Sequence, residues 1–394
     1  MYRSVNREDE VDDQDHHRLK ERVFAAIWDE LAPLEAAIED DESLPYEKMW
    51  PVLERVGAFG FLVPREYGGH GLSIRQYLPI IAEFAKIQGA IRVLVHVHNS
   101  FAHALSELAD EDQRRTLLPG LARGENSIAF ALTEPERGTG ADLGTTARRH
   151  GDEYVLDGRK WLITNSDIAS HFLVLAKTSE AEVSSILVER DRPGLTIESL
   201  PETMGCKGGQ HGELTFHGVR VPVRNRVGEE GQGQANLERA LEISRVFIAA
   251  SSLGTGQRAF ELSLRHARQR VTFGKPIAQR QAIQRYLAEM AMDLQALRLM
   301  LEDCAVKWDA GQRIPAEASL CKLFGLEAVG RVTDRALLVH GGIGYTRKHP
   351  IERLYRDARL NWLEEGTPTI QHLVAAREFL DGHWWSDDFS GVRP

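Results

Sequence analysis

The chain has 394 residues, of which 42% are hydrophobic and 27% are charged, and this composition is typical of a globular protein with two or three domains. Its 48 Lys and Arg residues against 58 Asp and Glu residues give a formal net charge of -10, which argues against a nucleic-acid partner. Residues 8–15 are rich in acids, unlike a signal or transit peptide, and no apolar run has the length of a membrane span. We therefore expect a cytoplasmic protein with no membrane partner.

The cysteines and histidines give no sign of a metal site. Cys206, Cys304 and Cys321 are far apart and form no CxxC pair, so we expect buried thiols in a reducing compartment, with neither a disulfide nor zinc. His96 and His98 are two residues apart, a spacing that places them on different faces of a helix. No HExxH motif is present.

The first half of the chain changes from helical to strand periodicity. Residues 1–17 form a polar tail, and residues 18–127 carry apolar side chains at helical spacing between Gly, Pro and acidic breaks. Residues 128–234 alternate polar and apolar side chains, as strands with one buried face do. Within them, the run YVLDGRKWLIT predicts a hairpin that turns at Asp157 and Gly158, because Asp-Gly is a favoured two-residue turn.

The second half returns to helical periodicity over residues 235–380. Six apolar residues recur there at alternating spacings of four and three, which indicates the seam of a long bundle helix: Ile283, Leu287, Met290, Leu294, Leu297 and Leu301. Residues 381–394 form a second tail, in which we expect Trp384 and Trp385 to dock on a neighbouring surface. The predicted fold class is α+β and mainly α, with an N-terminal helical domain, a middle β-barrel-like or sandwich domain and a C-terminal four-helix bundle.

A loop follows the apolar run that begins at Ile128. It contains Thr133, Glu134 and Pro135 and is then rich in Gly and Thr. Such a loop exposes backbone N–H groups and hydroxyls with little side-chain bulk, which suits a flat polar ring or a phosphate. A plain surface turn would explain the same composition. A dinucleotide-binding fold would not, because the glycines do not form GxGxxG and a strand pattern follows them.

A basic helix end leads into the turn TFGKP at residues 272–276. Arg270 can pair with a phosphate through two hydrogen bonds while Phe273 packs on an adenine. The alternative is that the cations only complement the negative C-terminal end of the helix. The GGIG turn at residues 341–344 offers a further place where backbone can approach a ligand closely.

Glu365 is the candidate catalytic base. It ends a charged segment and stands directly before Gly366 and Thr367, where another helix is predicted to begin. A carboxylate at such a junction can be held in a dry pocket and still reach a substrate.

Four segments resemble, in the same order, the motifs of the acyl-CoA dehydrogenase family of flavoproteins, and the resemblance covers about residues 18–380. Residues 133–139 (TEPERGT) are similar to the family's TEPxxGS loop, and residues 160–165 (KWLITN) are similar to its K-x-[WF]-I-T-N strand. Residues 270–276 (RVTFGKP) are similar to its R-x-x-FGKP turn. Residues 341–367 are similar to its GGxGY...RD...EGT run.

The resemblance implies that the chain binds FAD. Thr133 and Thr164 would be the main hydrogen-bonding partners of the flavin. Arg270, Phe273 and Gln281 would bind the pyrophosphate and adenine across a subunit interface, which implies a homodimer or homotetramer. The complete set of cofactor-binding residues that the resemblance implies is Phe130, Leu132, Thr133, Gly138, Thr139, Leu162, Ile163, Thr164, Arg270, Phe273, Gln281, Leu338, Gly341, Gly342, Thr367 and Thr369.

The resemblance also implies a reaction, the α,β-dehydrogenation of an acyl-CoA as in fatty acid β-oxidation, with electron-transfer flavoprotein as the usual acceptor. Glu365 would remove the α-proton, and a hydride would leave the β-carbon for the flavin. Desolvation by the acyl chain is expected to raise the pKa of Glu365 toward neutrality. The substrate-binding residues implied are Thr139, Arg245 and Gly366. Some family members place the base one residue before an Arg that resembles Arg245, but that position is Ser244 here, which favours Glu365.

The sequence departs from the family's motifs at four places. The acid that usually follows GS is absent, since Gly140 follows Thr139, which leaves the substrate contacts there open. Leu162 replaces a flavin-facing Trp or Phe and Trp161 is displaced by one residue, so we expect the Trp161 side chain on the opposite strand face and electron transfer to the usual acceptor is in question. Leu338 replaces a Gln. Glu364 replaces an aromatic residue, and it is either solvated or facing a polar acyl group.

Three other functions remain open at this point. In the first, the acyl group would be carried by an acyl-carrier protein in a biosynthetic pathway. In the second, the same scaffold would serve a flavin oxidase or monooxygenase. A non-catalytic flavin-binding homologue is the third, and the intact Glu365 and RxxFG turn argue against it.

Overall fold

The computed structural model describes residues 12–138, 142–200 and 203–382. This part of the chain divides into two compact units. The helix-and-sheet unit comprises residues 12–80 and 90–241, and the bundle unit comprises residues 81–89 and 242–382. Thr139 and the tail tryptophans Trp384 and Trp385 lie outside the described residues.

The N-terminal part of the chain is helical, as predicted. Its helices are α1 (Asp13–Ala26), α2 (Glu35–Asp41), α3 (Tyr46–Arg55), α4 (Ile74–Phe84), α5 (Gly89–Leu108) and α6 (Glu111–Ala122). Side chains mark where helices begin: Asp12 accepts from Gln14 N at the start of α1, and Asp110 and Gln113 form a reciprocal capping box at the start of α6. The fully buried residues of this part include Ile27, Phe59 and Phe61, which form an apolar interior.

The middle of the chain forms one eight-stranded sheet. Its strands are β1 (Ile128–Ala131), β2 (Thr146–His150), β3 (Glu153–Thr164), β4 (His171–Lys177), β5 (Val183–Glu189), β6 (Leu195–Ser199), β7 (His211–Pro222) and β8 (Arg226–Val227). The strand order is β6-β7-β3-β2-β4-β5-β8, and β1 pairs with β4 in parallel. Tyr154, Leu156, Phe172, Ile186 and Leu214 are buried together on one face. β4 and β5 are buried along most of their length, because both faces of the sheet are covered there.

The predicted hairpin at Asp157 and Gly158 is wrong. Strand β3 runs through both residues. The turn lies earlier, at residues 151–152, between the paired residues His150 and Glu153. A two-residue hairpin turn needs positive φ angles, and the φ of 64° at residue 151 is supplied by a glycine.

Gly158 serves packing inside the sheet. A Cβ atom at this position would lie 2.6 Å from Thr145 Cα, which is far inside van der Waals contact. The residue has a φ of 144°, a conformation open to glycine and strained for other residues. Next to it, Asp157 Oδ1 accepts a hydrogen bond from Gly218 N at 2.9 Å. The Asp-Gly pair therefore belongs to a close approach within the sheet rather than to a turn.

The C-terminal part of the chain is helical again. Its elements are α7 (Gly233–Gln269), the short hairpin strands β9 (Val271–Thr272) and β10 (Lys275–Pro276), α8 (Gln281–Asp309), α9 (Pro315–His340), α10 (Ile351–Leu360) and α11 (Pro368–Leu380). The predicted seam is confirmed for α8, where Met290, Leu294, Leu297 and Leu301 are buried. At Gly256 in α7, an added Cβ atom would meet Leu294 at 2.7 Å, so α7 and α8 pack closely.

The described chain agrees with the predicted fold class, a helical N-terminal domain, a middle sheet domain and a helical C-terminal domain. In the residues that the structure covers, no helix is both long and apolar enough to cross a bilayer. All three cysteines are buried thiols, as expected.

Replacing Gly158 by Ala tests the close approach inside the sheet. We expect Gly151→Ala to cost about 1 kcal/mol, because it only strains a positive φ in open space. Gly158→Ala should cost about 2 kcal/mol more, since its Cβ also collides with the backbone of Thr145. Urea denaturation of the two variants measures the difference, and equal losses would contradict the packing role of Gly158.

Candidate active site

Lys160 and Glu134 form an ion pair inside the helix-and-sheet unit. Lys160 Nζ lies 2.8 Å from Glu134 Oε1, and the exposed fractions of the two side chains are 0% and 4%. Nζ also donates to Leu132 O at 3.0 Å. The carboxylate of Glu134 accepts from Gly144 N at 2.5 Å and from Thr145 N at 3.0 Å. The pair therefore ties the loop after β1 to the start of β2 and to strand β3.

The charges of this pair depend on each other. Burial lowers the pKa of Lys160 to about 8, and the hydrogen bond and charge of Glu134 oppose this shift. Burial acts to raise the pKa of Glu134, but the Lys160 ammonium and the backbone donors outweigh it, so the pKa lies below its usual value. The sequence did not reveal the pair, because the residues are 26 positions apart and the local strand pattern does not mark the lysine as buried.

A bulge interrupts β3 at Trp161 and Leu162, two residues of the predicted flavin-binding strand. Trp161 N donates to Thr133 O at 2.8 Å instead of to the neighbouring strand. The register against β7 shifts between Lys160 and Ile163, and Leu162 has a φ of 57°. The expectation that Trp161 and Leu162 point to opposite faces assumed regular alternation, and the bulge interrupts it. Neither side chain belongs to the buried core of the sheet, and Leu162 is 44% exposed.

The other predicted flavin residues of this unit lie around β1 and β3. Phe130 stacks on Phe101 with 4.3 Å between ring centroids. The Thr164 hydroxyl lies 3.1 Å from His211 Nδ1, a partner that the sequence reading missed. The side chain of Ile163 is buried in the sheet core, so only its backbone is available for a ligand.

The loop after residue 135 contains an acid outside the family motif, Asp142. The Asp142 carboxylate accepts from Gly138 N at 3.1 Å and lies 3.3 Å from Arg137 Nη1. The hydrogen bond from Gly138 is the main cause that lowers the pKa of Asp142. Although Gly140 stands where an acid was expected, a carboxylate is still present on this loop.

In the bundle unit, the base turn (residues 364–366) is held by two buried side chains. Lys322 in α9 donates from Nζ to Glu364 O and, at 2.5 Å, to Gly366 O. Gln371 Nε2 in α11 donates to Glu365 O and Gly366 O, both at 3.0 Å. Lys322 and Gln371 are fully buried. All three carbonyls of the turn are thus bound, and Glu365 is kept at a φ of 55°, which non-glycine residues rarely adopt.

Three charged groups act on the Lys322 ammonium at the base turn. Burial lowers the pKa of Lys322 to about 8, Glu365 and Glu364 oppose this shift, and Arg245 adds to it. Arg245 is a buried residue of α7. Because both Arg245 and Glu365 act on the charge of Lys322, this predicted substrate residue lies near the base turn. Its neighbour Ser244 is buried as well, and its neutral hydroxyl cannot replace a carboxylate base.

The predicted pyrophosphate turn is a tight hairpin between β9 and β10. Phe273 and Gly274 have φ angles of 49° and 74°, as two-residue hairpin turns require. The Phe273 ring is 96% exposed, and the guanidinium of Arg280 lies 5.7 Å from its centroid. Arg280 also donates to Thr272 O at 2.7 Å, which braces the hairpin. Arg270 is exposed at the start of this hairpin.

The predicted glycine turn follows α9 directly. Residues Gly341–Tyr345 form a short 3-10 helix, and no atom lies within 4 Å of a Cβ atom built on Gly341 or Gly342. Leu338, one turn earlier, is 55% exposed. Three further predicted cofactor residues are also exposed at helix starts: Gln281, Thr367 and Thr369.

These groups fit the chemistry of FAD. A guanidinium and an open glycine backbone suit a pyrophosphate, and an exposed aromatic ring suits an adenine. The threonine hydroxyls predicted to contact the flavin suit its polar edge. Metal chemistry has no such support, since the described ranges contain no group of three or more His, Cys, Asp or Glu residues placed to hold an ion. His98 is fully buried with Nε2 3.0 Å from Leu121 O, in a packing role.

Comparison with protein families identifies all three parts of the chain. Residues 13–125 match the acyl-CoA dehydrogenase N-terminal domain, residues 129–219 the middle domain and residues 231–380 the C-terminal domain. The chain is therefore an oxidoreductase of the flavoprotein class that uses FAD and acts on acyl-CoA. It belongs to the acyl-CoA dehydrogenase family.

Individual relatives are named for different reactions. The chain is 36% identical to acryloyl-CoA reductase (NADH) of Anaerotignum propionicum, over 91% of this chain and 92% of the relative. Butyryl-CoA dehydrogenase of Megasphaera elsdenii superimposes with a TM-score of 0.89 at 28% identity, covering 94% of this chain and 99% of that one. The prolyl acyl carrier protein oxidase AnaB superimposes with a TM-score of 0.86 at 29% identity, covering 94% of this chain and 99% of that one.

Removing the charge of Glu134 tests the buried pair. We expect Glu134→Gln to destabilise the protein by about 3 kcal/mol, because it leaves the Lys160 ammonium buried without its counter-charge. Since the pKa of Glu134 is lowered on folding, the stabilisation should be present above about pH 4.5 and be lost as the pH falls below it in the parent protein. Thermal unfolding against pH measures both effects.

Glu125→Gln is the matched control. Glu125 pairs with Arg123 in solvent, so its loss should leave the unfolding temperature unchanged. Equal effects of the two substitutions would show that the buried pair does not hold the loop.

Proposed function

We propose that the protein catalyses the FAD-dependent α,β-dehydrogenation of an acyl thioester, with Glu365 as the base that removes the α-proton. The observation that carries this proposal is the base turn, in which Lys322 and Gln371 bind all three carbonyls. Such binding fixes the backbone at Glu365 while its carboxylate stays partly exposed. A base that is positioned in advance loses little entropy when the substrate arrives.

The residues of the base turn suit proton removal next to a thioester carbonyl. The Glu365 N–H would donate to the thioester oxygen and favour the negative charge that develops there. Glu365 would hold the abstracted proton on its carboxylate. Bound FAD supplies the acceptor for the hydride that leaves the β-carbon. Arg245 and Lys322 add positive charge near the turn, which favours an enolate-like charge over a neutral one.

Two variations of this function have support from the relatives. The likeness to AnaB favours a carrier-protein substrate or an oxidase reaction over a non-catalytic flavin-binding role. The likeness to acryloyl-CoA reductase (NADH) favours the reverse direction, reduction of an enoyl thioester. Electron-transfer flavoprotein remains our proposed acceptor for the forward direction, and a homodimer or homotetramer remains our proposed assembly.

Anaerobic titration with acyl-CoA thioesters distinguishes these functions. We expect flavin bleaching by an acyl-CoA and slow reoxidation when air is admitted. Rapid reoxidation in air would favour the oxidase, and bleaching only by the carrier-linked form of the same acyl group would favour the carrier protein. If no saturated thioester bleaches the flavin but an enoyl-CoA oxidises the chemically reduced enzyme, reduction is the physiological direction.

Glu365→Gln tests the base. The variant should keep its yellow flavin and bleach at least about 100-fold more slowly with substrate, because general base catalysis is lost. Glu364→Gln is the matched control, since it removes the adjacent carboxylate of the same turn and should retain most of the rate. Stopped-flow absorbance of the flavin gives both rates. Bleaching of Glu365→Gln at the parental rate would exclude Glu365 as the base.

Arg270→Ala tests the pyrophosphate contact. Loss of a charge-assisted hydrogen bond is expected to raise the FAD dissociation constant about tenfold or more. Arg268→Ala removes another exposed cation at the end of α7 and should bind FAD as the parent does. Fluorescence of FAD released on dialysis measures retention, and equal retention by the two variants would count against the contact.

A further inference from the structure

Three histidine rings stack in the bundle unit, and we call them the histidine stack. The ring centroids of His266 and His340 are 4.4 Å apart with the planes 28° from parallel. The centroids of His340 and His349 are also 4.4 Å apart, at an angle of 45°. The first pair is stacked and the second is tilted, and within the described residues no group of three or more His, Cys, Asp or Glu residues is placed to hold a metal ion.

The histidine stack joins the two segments that we assign to the nucleotide end of FAD. His266 lies in the last turn of α7, where its carbonyl accepts from Arg270 N at 2.8 Å. His340 ends α9 and directly precedes Gly341. A Cβ atom on Gly344 would lie 2.9 Å from His340 Cβ, so the glycine turn folds tightly against this residue.

An apolar cluster joins the same two segments. Ala267, Ile277 and Val339 are buried together, and they are chain neighbours of His266, of the hairpin and of His340. The segments that carry His266 and His340 are thus packed against each other next to the Arg270 hairpin and the glycine turn.

The hydrogen bonds of the stack fit neutral rings. His340 Nδ1 lies 2.7 Å from Ala336 O and donates to it, so Nε2 carries no proton in the neutral ring. Within the described residues that buried Nε2 has no hydrogen-bond partner. His349 Nδ1 accepts from Ile351 N at 3.3 Å. A proton added to His340 Nε2 would thus be a buried donor without an acceptor.

The surrounding charges also oppose protonation. Burial is the main cause that lowers the pKa of all three rings, to about 4 for His340. The charged groups that act on the stack are cations, Arg270 next to His266 and Arg258 next to His349. A group with a lowered pKa stabilises the fold above its usual value, about 6.5 for His, and this stabilisation is lost as the pH falls toward the folded-state value.

We propose that the histidine stack positions the Arg270 hairpin and the Gly341–Gly342 turn for the nucleotide end of FAD, and that protonation of the stack separates them and releases the cofactor. The proposal rests on our assignment of these two segments to FAD. The three histidines act through the segments that they hold, and none of them needs to touch the cofactor.

His349→Phe tests the proposal because phenylalanine keeps a stacked ring but cannot be protonated. The FAD dissociation constant of the parent should rise at least about tenfold between pH 7 and pH 5, as one lowered titration implies. In His349→Phe the same change of pH should raise it by a clearly smaller factor than in the parent, because one of the three titrating rings is gone while His266 and His340 remain. His372→Phe is the matched control, since His372 is exposed in α11, and it should follow the parent. Free-FAD fluorescence after ultrafiltration gives the constants, with far-UV circular dichroism as the check on folding.

The possible results separate this proposal from the proposed function. A pH-independent dissociation constant in the parent, or identical pH profiles of the parent and His349→Phe, would overturn the positioning role while leaving the FAD assignment intact. Absence of bound FAD at pH 7 would overturn both. If His349→Phe does not fold, His266→Phe removes the ring at the other end of the stack and is judged by the same profile.

Discussion

The loop after β1 and the base turn each depend on a buried ammonium group. Lys160 and Lys322 are fully excluded from solvent, and a buried charge is tolerated only where hydrogen bonds replace the lost water. Lys160 meets this demand with Glu134 and the carbonyl of Leu132. Lys322 meets it with two carbonyls of the base turn. In each case the ammonium group lies on a strand or a helix and binds carbonyl groups of a neighbouring loop. The position of the buried cation therefore restricts the path of that loop.

Strained backbone conformations occur at several candidate functional residues. Six non-glycine residues of the described chain have positive φ angles, and three of them are Leu162, Phe273 and Glu365. A residue held in this region costs on the order of 1 kcal/mol and persists only when its surroundings enforce it. For Glu365 the enforcing groups are Lys322 and Gln371. For Leu162 the enforcing feature is the bulge of β3, where the backbone bonds to the loop after β1 instead of to the next strand.

The sequence predicted regular elements well and their irregular junctions poorly, for a physical reason. Periodicity reports which face of an element is buried, so the seam from Met290 to Leu301 predicted α8 correctly. Local turn chemistry does not report what another strand does, so the Asp157–Gly158 pair predicts a turn, whereas in the structure Gly158 makes room for Thr145. The family motif indicates Glu365 as the candidate base, but its left-handed backbone depends on Lys322, which binds the carbonyls of Glu364 and Gly366 from more than forty positions away in the chain. Such contacts leave no local pattern.

The charge of Lys322 also bears on how basic Glu365 can become. Desolvation by an acyl chain raises the pKa of a carboxyl group, which improves it as a base. A nearby ammonium has the opposite effect, and Lys322 and Glu365 are electrostatically linked. Because the pKa of Lys322 itself is lowered to about 8, this counter-charge is only partly fixed near neutral pH. A substrate that desolvates the turn favours the neutral form of Lys322 as well. The proposed base therefore lies beside a cation whose own charge depends on pH.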